Sequence, residues 1–256
     1  MSFLPESQTT SISTHNNEDI FIRDKSLCND LIGKLTFTEM LFFQILGRIP
    51  SKAEVVVVDA CLVTLMEHGL TPSALASRLV YSSATEAMQG AVAAGLLAVG
   101  SLFVGTMEGA AALIERILSA DDQQAEALLI AQEHKAGRNP LPGFGHHMHK
   151  PDDPRTIRLF EIATAEGLAG PHIAAIKTLS AAIDETYGKH ITINATGGIA
   201  AALGDCGVPA EIMRGFAIIT RAAGLVGHIH EEQHKPAMRA IWEAADEAVT
   251  YDGEAG

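Results

Sequence analysis

The feature that most constrains the fold is a repeated helix-start signal that precedes apolar segments of helical length. Thr36 and Glu39 have the Thr-x-x-Glu spacing of a capping box, and Ser51 and Glu54 repeat it farther along. In a capping box the hydroxyl accepts a backbone N–H inside the helix, while the carboxylate accepts the N–H of the cap residue. Gly47 stands where the first of these helices should end. The pattern predicts an all-α chain.

Helical periodicity extends this prediction along the sequence. The predicted helices are Thr36–Leu46, Ser51–His68, a helix from Thr71, Thr85–Val104, Thr106–Ile117, Asp121–Ala136, Thr156–Glu166, Pro171–Tyr187, Ile199–Gly204, Pro209–Gly224 and Val226–Ala248. His190–Asn194 (HITIN) is the one strand-like segment. Residues 1–17 are rich in Ser, Thr and Asn, which predicts a flexible N-terminal arm before a domain over 18–256.

Composition limits the classes of partner. The chain has 256 residues and a formal net charge of −13, which argues against nucleic acid and anionic membranes as partners. Cys28, Cys61 and Cys206 are far apart and form no CxxC motif, so they are predicted to be free thiols in a reducing compartment. No cationic leader opens the sequence. We therefore expect a cytoplasmic protein.

One uncharged segment, Ala87–Val104, reaches the lower length limit of a membrane span. It is rich in alanine and glycine, lacks an aromatic belt and has no basic cluster on either side. Small side chains allow close helix packing, which favours a buried helix in the core or at a subunit interface. The segment therefore predicts a homo-oligomer.

The segment Leu141–Arg155 (LPGFGHHMHKPDDPR) carries the chemistry of an active-site loop. Gly143 and Gly145 let the backbone approach a ligand closely. His146 follows at once and can transfer protons near neutral pH. Arg155 stands at a helix start opened by Asp153-Pro154, and a guanidinium is well shaped for a carboxylate. The loop predicts a site for an anionic substrate.

Two groups of histidines raise the question of a metal site. His146, His147 and His149 lie within the loop. In the last predicted helix, the pairs His228/Glu232 and His230/His234 each share a helix face. Residue types and spacing alone do not decide between a metal site and solvent-exposed histidines.

Six motifs, taken in order, resemble the citrate synthase-like family, and in particular the citryl-CoA lyase module of ATP-citrate lyases and short stand-alone lyases. The motifs are GRIPS, HGLTPSA, GLLAVGSLFVG, GFGH…DPR, NATGG and TRAAGLVGHIHEE. The resemblance runs from about Phe37 to Trp242. It implies an all-α, citrate synthase-like fold with a large helical lobe and a small lobe at roughly 107–210.

The resemblance also implies roles for individual residues. His68 corresponds to the histidine that contacts the C3 oxygen at the oxaloacetate-derived end, and His146 to the catalytic histidine that exchanges a proton with it. Arg155 and Arg221 match arginines that bind the carboxylates of citrate. Lys235 falls near an arginine that relatives contribute across a dimer interface, and a lysine there offers a point charge instead of a fork. Without the resemblance, His68 is more typical of a capped surface residue than of a catalyst, and GFGHH reads equally as a glycine-rich turn.

Coenzyme A is expected as part of the substrate, with no permanently bound cofactor and no metal. The resemblance implies that the loop lines the coenzyme A site, through Leu141, Pro142, Gly143, Phe144 and Gly145. Arg78 and Lys150 either contact its phosphates or lie on a solvated face.

Two departures from the synthases bear on the reaction. Phe103 stands where synthases have a histidine that stabilises the acetyl-CoA enolate, and the lyase module also has phenylalanine there. Asn194 stands where the family has its aspartate base, and an amide cannot accept a proton at neutral pH. Read without the family, Asn194 could be a turn residue. Both departures favour cleavage over condensation.

The leading hypothesis is a citryl-CoA lyase that forms acetyl-CoA and oxaloacetate by a retro-Claisen reaction. One alternative is a lyase or synthase that acts on another 3-hydroxy-3-carboxyacyl-CoA. The other is a catalytically silent relative that binds CoA esters or a partner subunit. The expected partners are CoA thioesters and citrate- or oxaloacetate-type carboxylates.

Overall fold

A computed structural model describes residues 9–100 and 105–253, and helices dominate these ranges, as predicted. The helices are α1 (Phe37–Leu46), α2 (Lys52–Met66), α3 (Pro72–Ser83), α4 (Met88–Leu97), α5 (Gly105–Leu118), α6 (Gln123–Gly137), α7 (Pro154–Ala165), α8 (Pro171–Tyr187), α9 (Ala195–Asp205), α10 (Met213–His234) and α11 (Met238–Ala248). The all-α fold class is confirmed. The division into an arm and two lobes remains a prediction.

Both predicted capping boxes are present. Thr36 and Glu39 exchange hydrogen bonds at the start of α1, and Ser51 and Glu54 do so at the start of α2. Helix α1 ends at Gly47, which has a left-handed φ of 74° that favours glycine. These ends were predictable because the contacts that form them lie within a few residues of one another.

Several helix boundaries differ from the prediction, and the predicted last helix, Val226–Ala248, is broken between His234 and Met238. Helix α4 covers Met88–Leu97 alone, so the uncharged segment does not form one long helix within the described residues. Helix α9 begins at Ala195, earlier than predicted. Helix α10 continues through Gly224, where a Cβ atom would lie 2.1 Å from the carbonyl oxygen of Met66. Gly224 therefore marks a close contact with the end of α2 rather than a helix end.

The strand prediction was wrong. HITIN forms no strand; its Ile193 makes an isolated bridge to Phe144. A small antiparallel sheet instead consists of β1 (Ser13–His15), β2 (Ile20–Ile22) and β3 (Lys25–Ser26), with Ser13 opposite Ile22. The last part of the predicted flexible arm is thus a paired strand. Between β1 and β2, the side chain of Asn16 accepts the backbone N–H of Glu18, and that of Asp19 accepts the N–H of Ile20.

One large apolar core joins α2, α5, α6, α7, α8 and α9, and a small second cluster holds Tyr81, Ala91 and Ile229. Helix α10 packs against α2, α3 and α4, and α9 packs against α5, α7 and α8. As a result, the end of α2 and the starts of α3, α7 and α9 are held near the middle of α10.

Helical residues Ala210–His234 have the length and composition of a membrane-crossing helix, with a mean hydropathy of 1.2. A core helix of a folded protein passes the same test, and α10 packs against α2, α3, α4 and α5. Helix α4 has a length below that of a span.

All three cysteines are free thiols. Cys28 is exposed, whereas Cys61 and Cys206 are buried. Burial raises the pKa of both buried thiols, that of Cys206 to about 12. Buried, protonated thiols of this kind are unreactive.

His172 gives the fold a pH-dependent contact. Its Nδ1 lies 2.9 Å from Asp205 Oδ1, and the hydrogen bond that the ring donates to Asp205, helped by the one to Glu115, raises the pKa of His172 above 6.5. A raised pKa adds stability that is fully present below about pH 6.5 and is lost as the pH rises through the raised value. We expect the difference in unfolding free energy between wild type and His172→Gln to shrink from about pH 5.5 to about pH 9 in urea titrations. A difference that grows with pH would contradict this.

Candidate active site

The predicted site residues surround a cavity of about 680 Å³. Its walls come from the end of α2, the start of α3 and residues 141–147, called the glycine loop below. The starts of α7 and α9 and the middle of α10 complete them. Predicted residues in the wall are His68, Leu141, Pro142, Phe144, Gly145, His146, Arg155, Asn194 and Arg221. The structure therefore brings together residues that are as much as 153 positions apart in sequence (221 − 68).

The glycine loop lies directly on the start of α9. The N–H of Gly145 donates to Thr192 (2.8 Å), and the N–H of Asn194 donates to the carbonyl of Gly143 (3.0 Å). A Cβ on Gly197 would lie 2.4 Å from that carbonyl oxygen. Gly143 has a φ of +83° and is itself buried against α9. Glycines at 143 and 197 thus permit a backbone contact that fixes the loop.

His146 is held in one tautomer. Its Nδ1 accepts the backbone N–H groups of Met148 (3.1 Å) and His149 (3.0 Å). Because Nδ1 is an acceptor, the neutral ring carries its proton on Nε2. Burial, with like charge from His149 and Arg155, lowers the pKa of His146. At neutral pH the ring is therefore an uncharged Nε2–H donor.

His68 lies next to His146 in the cavity wall, with 6.2 Å between the ring centroids. Burial lowers the pKa of His68, and the positive charges of Arg155 and Arg221 lower it further. His68 is thus a neutral imidazole at neutral pH, the form that accepts a proton. Hydrogen bonds place its backbone, but none within the described residues involves its ring.

Arg155 is oriented by the residue that caps its own helix. Asp153 is fully buried and accepts the Arg155 backbone N–H (3.0 Å), its Nε–H (2.9 Å) and its Nη2–H (2.7 Å). The second Asp153 oxygen also accepts the N–H of Ala195 (3.1 Å), which joins the starts of α7 and α9. Although burial opposes it, pairing with Arg155 lowers the pKa of Asp153. Nη1 of Arg155 has no partner among the described residues and remains for an anionic ligand.

Arg221 offers a buried donor to the cavity. Its Nη1 is buried and has no hydrogen-bond partner among the described residues. Burial lowers the pKa of Arg221, against the opposing effect of the nearby Glu67 carboxylate. A buried, charged N–H without an acceptor is costly, and a carboxylate from a ligand would remove that cost.

Asn194 caps α9 and has an extended backbone with φ of −81°, which does not fit the αL turn considered above. Its Oδ1 accepts the Thr196 hydroxyl (2.7 Å) and the Gly197 N–H (3.1 Å). Its Nδ2 donates to the carbonyl of Gly145 (3.1 Å), which leaves one amide N–H. At the expected position of an acid–base group, the structure thus has a helix cap and a hydrogen-bond donor.

Sequence reasoning missed several hydroxyls in the cavity wall. Thr196 lies 3.0 Å from the hydroxyl of Thr106, which extends the hydrogen bonds of Asn194. Thr71 and Ser73, at the start of α3, have buried hydroxyl oxygens without partners among the described residues. The sequence predicted a helix start at Thr71-Pro72-Ser73, but it did not indicate that this helix start faces a cavity.

Ring nitrogens of His68, His146 and His149 come within 4.8 Å of one another, a spacing from which a metal site could form. However, Nδ1 of His146 accepts two backbone N–H groups, so its neutral ring has no free lone pair for a metal. The chemistry of this donor set does not favour a resident ion. The absence of a metal remains a prediction.

Four predicted residues of the described ranges do not line the cavity: Gly143, Lys235, Lys150 and Arg78. The predicted residue Phe103 falls outside the described residues. Lys235 is an exposed residue at the end of α10 and does not line this chain's cavity, so its predicted role would need a second copy. Lys150 is exposed. Arg78 is 2% exposed and pairs with Glu231 and Glu232, which argues against both interpretations given above, phosphate contact and solvated face.

Comparisons with known proteins give a consistent result. The family model "Citrate synthase, C-terminal domain" matches residues 7–242. "Putative citrate synthase 2" of Mycobacterium bovis is 28% identical over 190 residues, 72% of this chain and 49% of that protein. The chain spans about half the length of the curated relatives that it matches.

Two solved structures share the fold. Citryl-CoA lyase from Hydrogenobacter thermophilus has a TM-score of 0.87 and 32% identity, and the match covers 98% of this chain and 96% of that one. ATP citrate lyase from Methanothrix soehngenii, in complex with citrate and coenzyme A, has a TM-score of 0.79 and 18% identity, with 98% of this chain and 42% of that one covered. At that identity the second match shows the fold alone.

Proposed function

The chain belongs to the citrate synthase family, and from this we propose that it is a carbon–carbon lyase that cleaves (3S)-citryl-CoA to acetyl-CoA and oxaloacetate. The observation that carries the proposal is the buried, unpartnered Nη1 of Arg221 in a cavity shared with Arg155 and two neutral imidazoles. This set suits a substrate with carboxylates beside an oxygen that gains and loses a proton. Coenzyme A enters as part of the substrate.

The two histidines have different roles at the C3 oxygen: one donates a hydrogen bond and the other accepts a proton. His146 carries its proton on Nε2 and donates a hydrogen bond to that oxygen. His68 accepts the hydroxyl proton, since its lowered pKa leaves it neutral. The tautomer of His146 thus changes the roles expected from sequence, in which His146 took the proton. The O–H electron pair then forms the C3 carbonyl of oxaloacetate.

Cleavage moves the electrons of the C2–C3 bond into the thioester, which becomes an enolate. The remaining amide N–H of Asn194 stabilises the enolate oxygen, as donors do in an oxyanion hole. Water supplies the proton that completes acetyl-CoA. The reverse reaction needs a base to remove a methyl proton from acetyl-CoA, and the amide of Asn194 cannot accept one. Residue 194 therefore supplies no proton-transfer group at the methyl carbon, and in either direction that proton is exchanged with water.

Asn194→Asp is expected to raise the cleavage rate by about 10–100-fold and to confer measurable condensation, because the carboxylate restores a proton-transfer group. Aspartate caps a helix as well as asparagine, so folding should survive. Rates in both directions check this. Asn139→Asp, at an exposed position just after α6, adds the same charge outside the cavity wall and should change neither rate. An unchanged rate in Asn194→Asp would contradict the assignment.

The proposed function is tested by incubating the purified protein with citryl-CoA and following oxaloacetate with malate dehydrogenase and NADH. Turnover that depends on His68 supports a lyase. Turnover of a different 3-hydroxy-3-carboxyacyl-CoA, but not of citryl-CoA, would support the first alternative. Tight citrate or CoA binding in calorimetry without any turnover would support the silent relative.

The same proposal includes a homodimer in which Lys235 reaches the partner's cavity, and a cytoplasmic location. Lys235 is exposed, which leaves it accessible to a second copy. Light scattering tests the oligomeric state, and a strictly monomeric mass would contradict this part.

A further inference from the structure

A buried polar network lies beside the cavity and is not used in the chemistry proposed above. Arg78 on α3 is 2% exposed, and its Nη1 donates to Glu232 Oε2 (2.8 Å). Its Nη2 pairs with Glu231, and its Nε donates to His228 Nδ1 (3.1 Å). Although burial opposes it, pairing with Glu232 and Glu231 raises the pKa of Arg78. The network therefore keeps a permanent charge inside the packing of α3 and α10.

His228 extends this network to the turn that carries His68. Because its Nδ1 accepts from Arg78, the neutral ring of His228 carries its proton on Nε2. That Nε2 lies 2.9 Å from Glu67 Oε2, which is within ion-pair distance, although the two atoms do not have the geometry of a hydrogen bond. The contact with His228 lowers the pKa of Glu67, although burial opposes it. Glu67 is thus a carboxylate held in place from α10.

The other oxygen of Glu67 holds the backbone of the turn. Its Oε1 accepts the N–H of His68 (2.8 Å) and of Gly69 (2.6 Å). These two residues are exposed, so burial does little to fix their position. The carboxylate thus fixes their N–H groups, while the carbonyl of Gly69 accepts the N–H of Thr71 (2.8 Å).

Helix α10 also bears Arg221, one turn before Gly224 and two turns before His228. Gly224 touches the carbonyl of Met66, at the end of α2. The helix that presents the buried guanidinium therefore also supports the turn that presents His68. The spacing between the carboxylate-binding group and the proton acceptor depends on this support.

We propose that Glu67 is a positioning residue, which fixes His68 relative to Arg221 by joining the His68–Gly69 backbone to His228 on α10. The effect on catalysis rests on the proposed function, whereas the effect on the backbone does not. Misplacing a catalytic group by about 1 Å can cost about 100-fold in rate.

The first measurement is amide hydrogen exchange at His68 and Gly69. Exchange should be slow in the wild type, faster in Glu67→Ala, and close to wild type in Glu67→Gln, whose amide oxygen can accept both N–H groups. Glu231→Ala is the matched control, because it removes a carboxylate from the same network without touching the turn. Unchanged exchange in Glu67→Ala, or equal acceleration in Glu231→Ala, would overturn the proposal.

The second measurement is the kinetics of citryl-CoA cleavage. Glu67→Ala should lower kcat by about 10–100-fold with little change in KM, and Glu67→Gln should recover part of the loss. Equal losses in kcat for Glu231→Ala would point to general weakening and would overturn the proposal. If the wild type does not cleave citryl-CoA, the proposed function fails, and the exchange measurement still decides the role of Glu67.

Discussion

Replacing His68 with alanine is expected to lower kcat for citryl-CoA cleavage by about 10²–10⁴-fold, the usual loss when a positioned general base is removed. The residue lies in the cavity wall with both arginines and has no hydrogen bond to its ring within the described residues. Its lowered pKa keeps it ready to accept the C3 hydroxyl proton at neutral pH. KM should change far less, because the arginines bind the carboxylates. Steady-state kinetics with the coupled assay measure both values.

The matched control for this substitution is His230→Ala, at an exposed position on α10. It should retain the wild-type rate. Both variants should unfold at similar urea concentrations, since the His68 side chain is exposed. A His68→Ala protein with wild-type kcat would show that the C3 hydroxyl proton leaves by another route.

Arg221→Ala is expected to weaken citrate binding by roughly 10–150-fold, which corresponds to about 1.5–3 kcal/mol for a hydrogen bond to a charged group. The Nη1 donor of Arg221 is buried and unpartnered, so a bound carboxylate would be its acceptor. Arg221→Lys should recover only part of the affinity, because lysine keeps the charge but loses the planar fork. Calorimetric titration with citrate gives both affinities.

Arg158→Ala is the control variant, because it also removes one positive charge from the protein. Arg158 lies on α7, one turn beyond Arg155, and its side chain is 70% exposed and paired with Glu161. Its loss changes the net charge by the same amount and should leave citrate affinity within about two-fold, as expected for an exposed ion pair. Equal affinities in Arg221→Ala and the wild type would show that the carboxylates bind elsewhere.

Local signals were the most predictable part of the fold. The capping boxes at Thr36 and Ser51 act over three residues, so the sequence contains the whole interaction. The start of α9 was missed because glycines lower helix propensity in NATGG. There, contact with the backbone of the glycine loop outweighs propensity. The interpretation of Gly224 as a helix end failed for the same reason, since its partner, Met66, is distant in sequence.

The gathering of site residues was predicted from motifs, and the cavity contains most of them. Their chemical state was not predictable. The proton position on His146 depends on two backbone N–H groups of its own loop. The burial of Arg78 depends on contacts with α10, about 150 residues away. Such features arise from the arrangement of distant segments, which the spacing of residues does not contain.

Asn194 has a consequence for how a family like this can diverge. Codons for asparagine and aspartate differ by one base, and either side chain can accept the N–H of Gly197 that caps α9. A mutation at this position can therefore remove or restore a proton-transfer group while the helix start stays intact. The exchange changes one contact beside the cap, because aspartate cannot donate to the carbonyl of Gly145 as the amide of Asn194 does. At residue 194 the rate of proton transfer can therefore change in evolution for the stability of a single hydrogen bond.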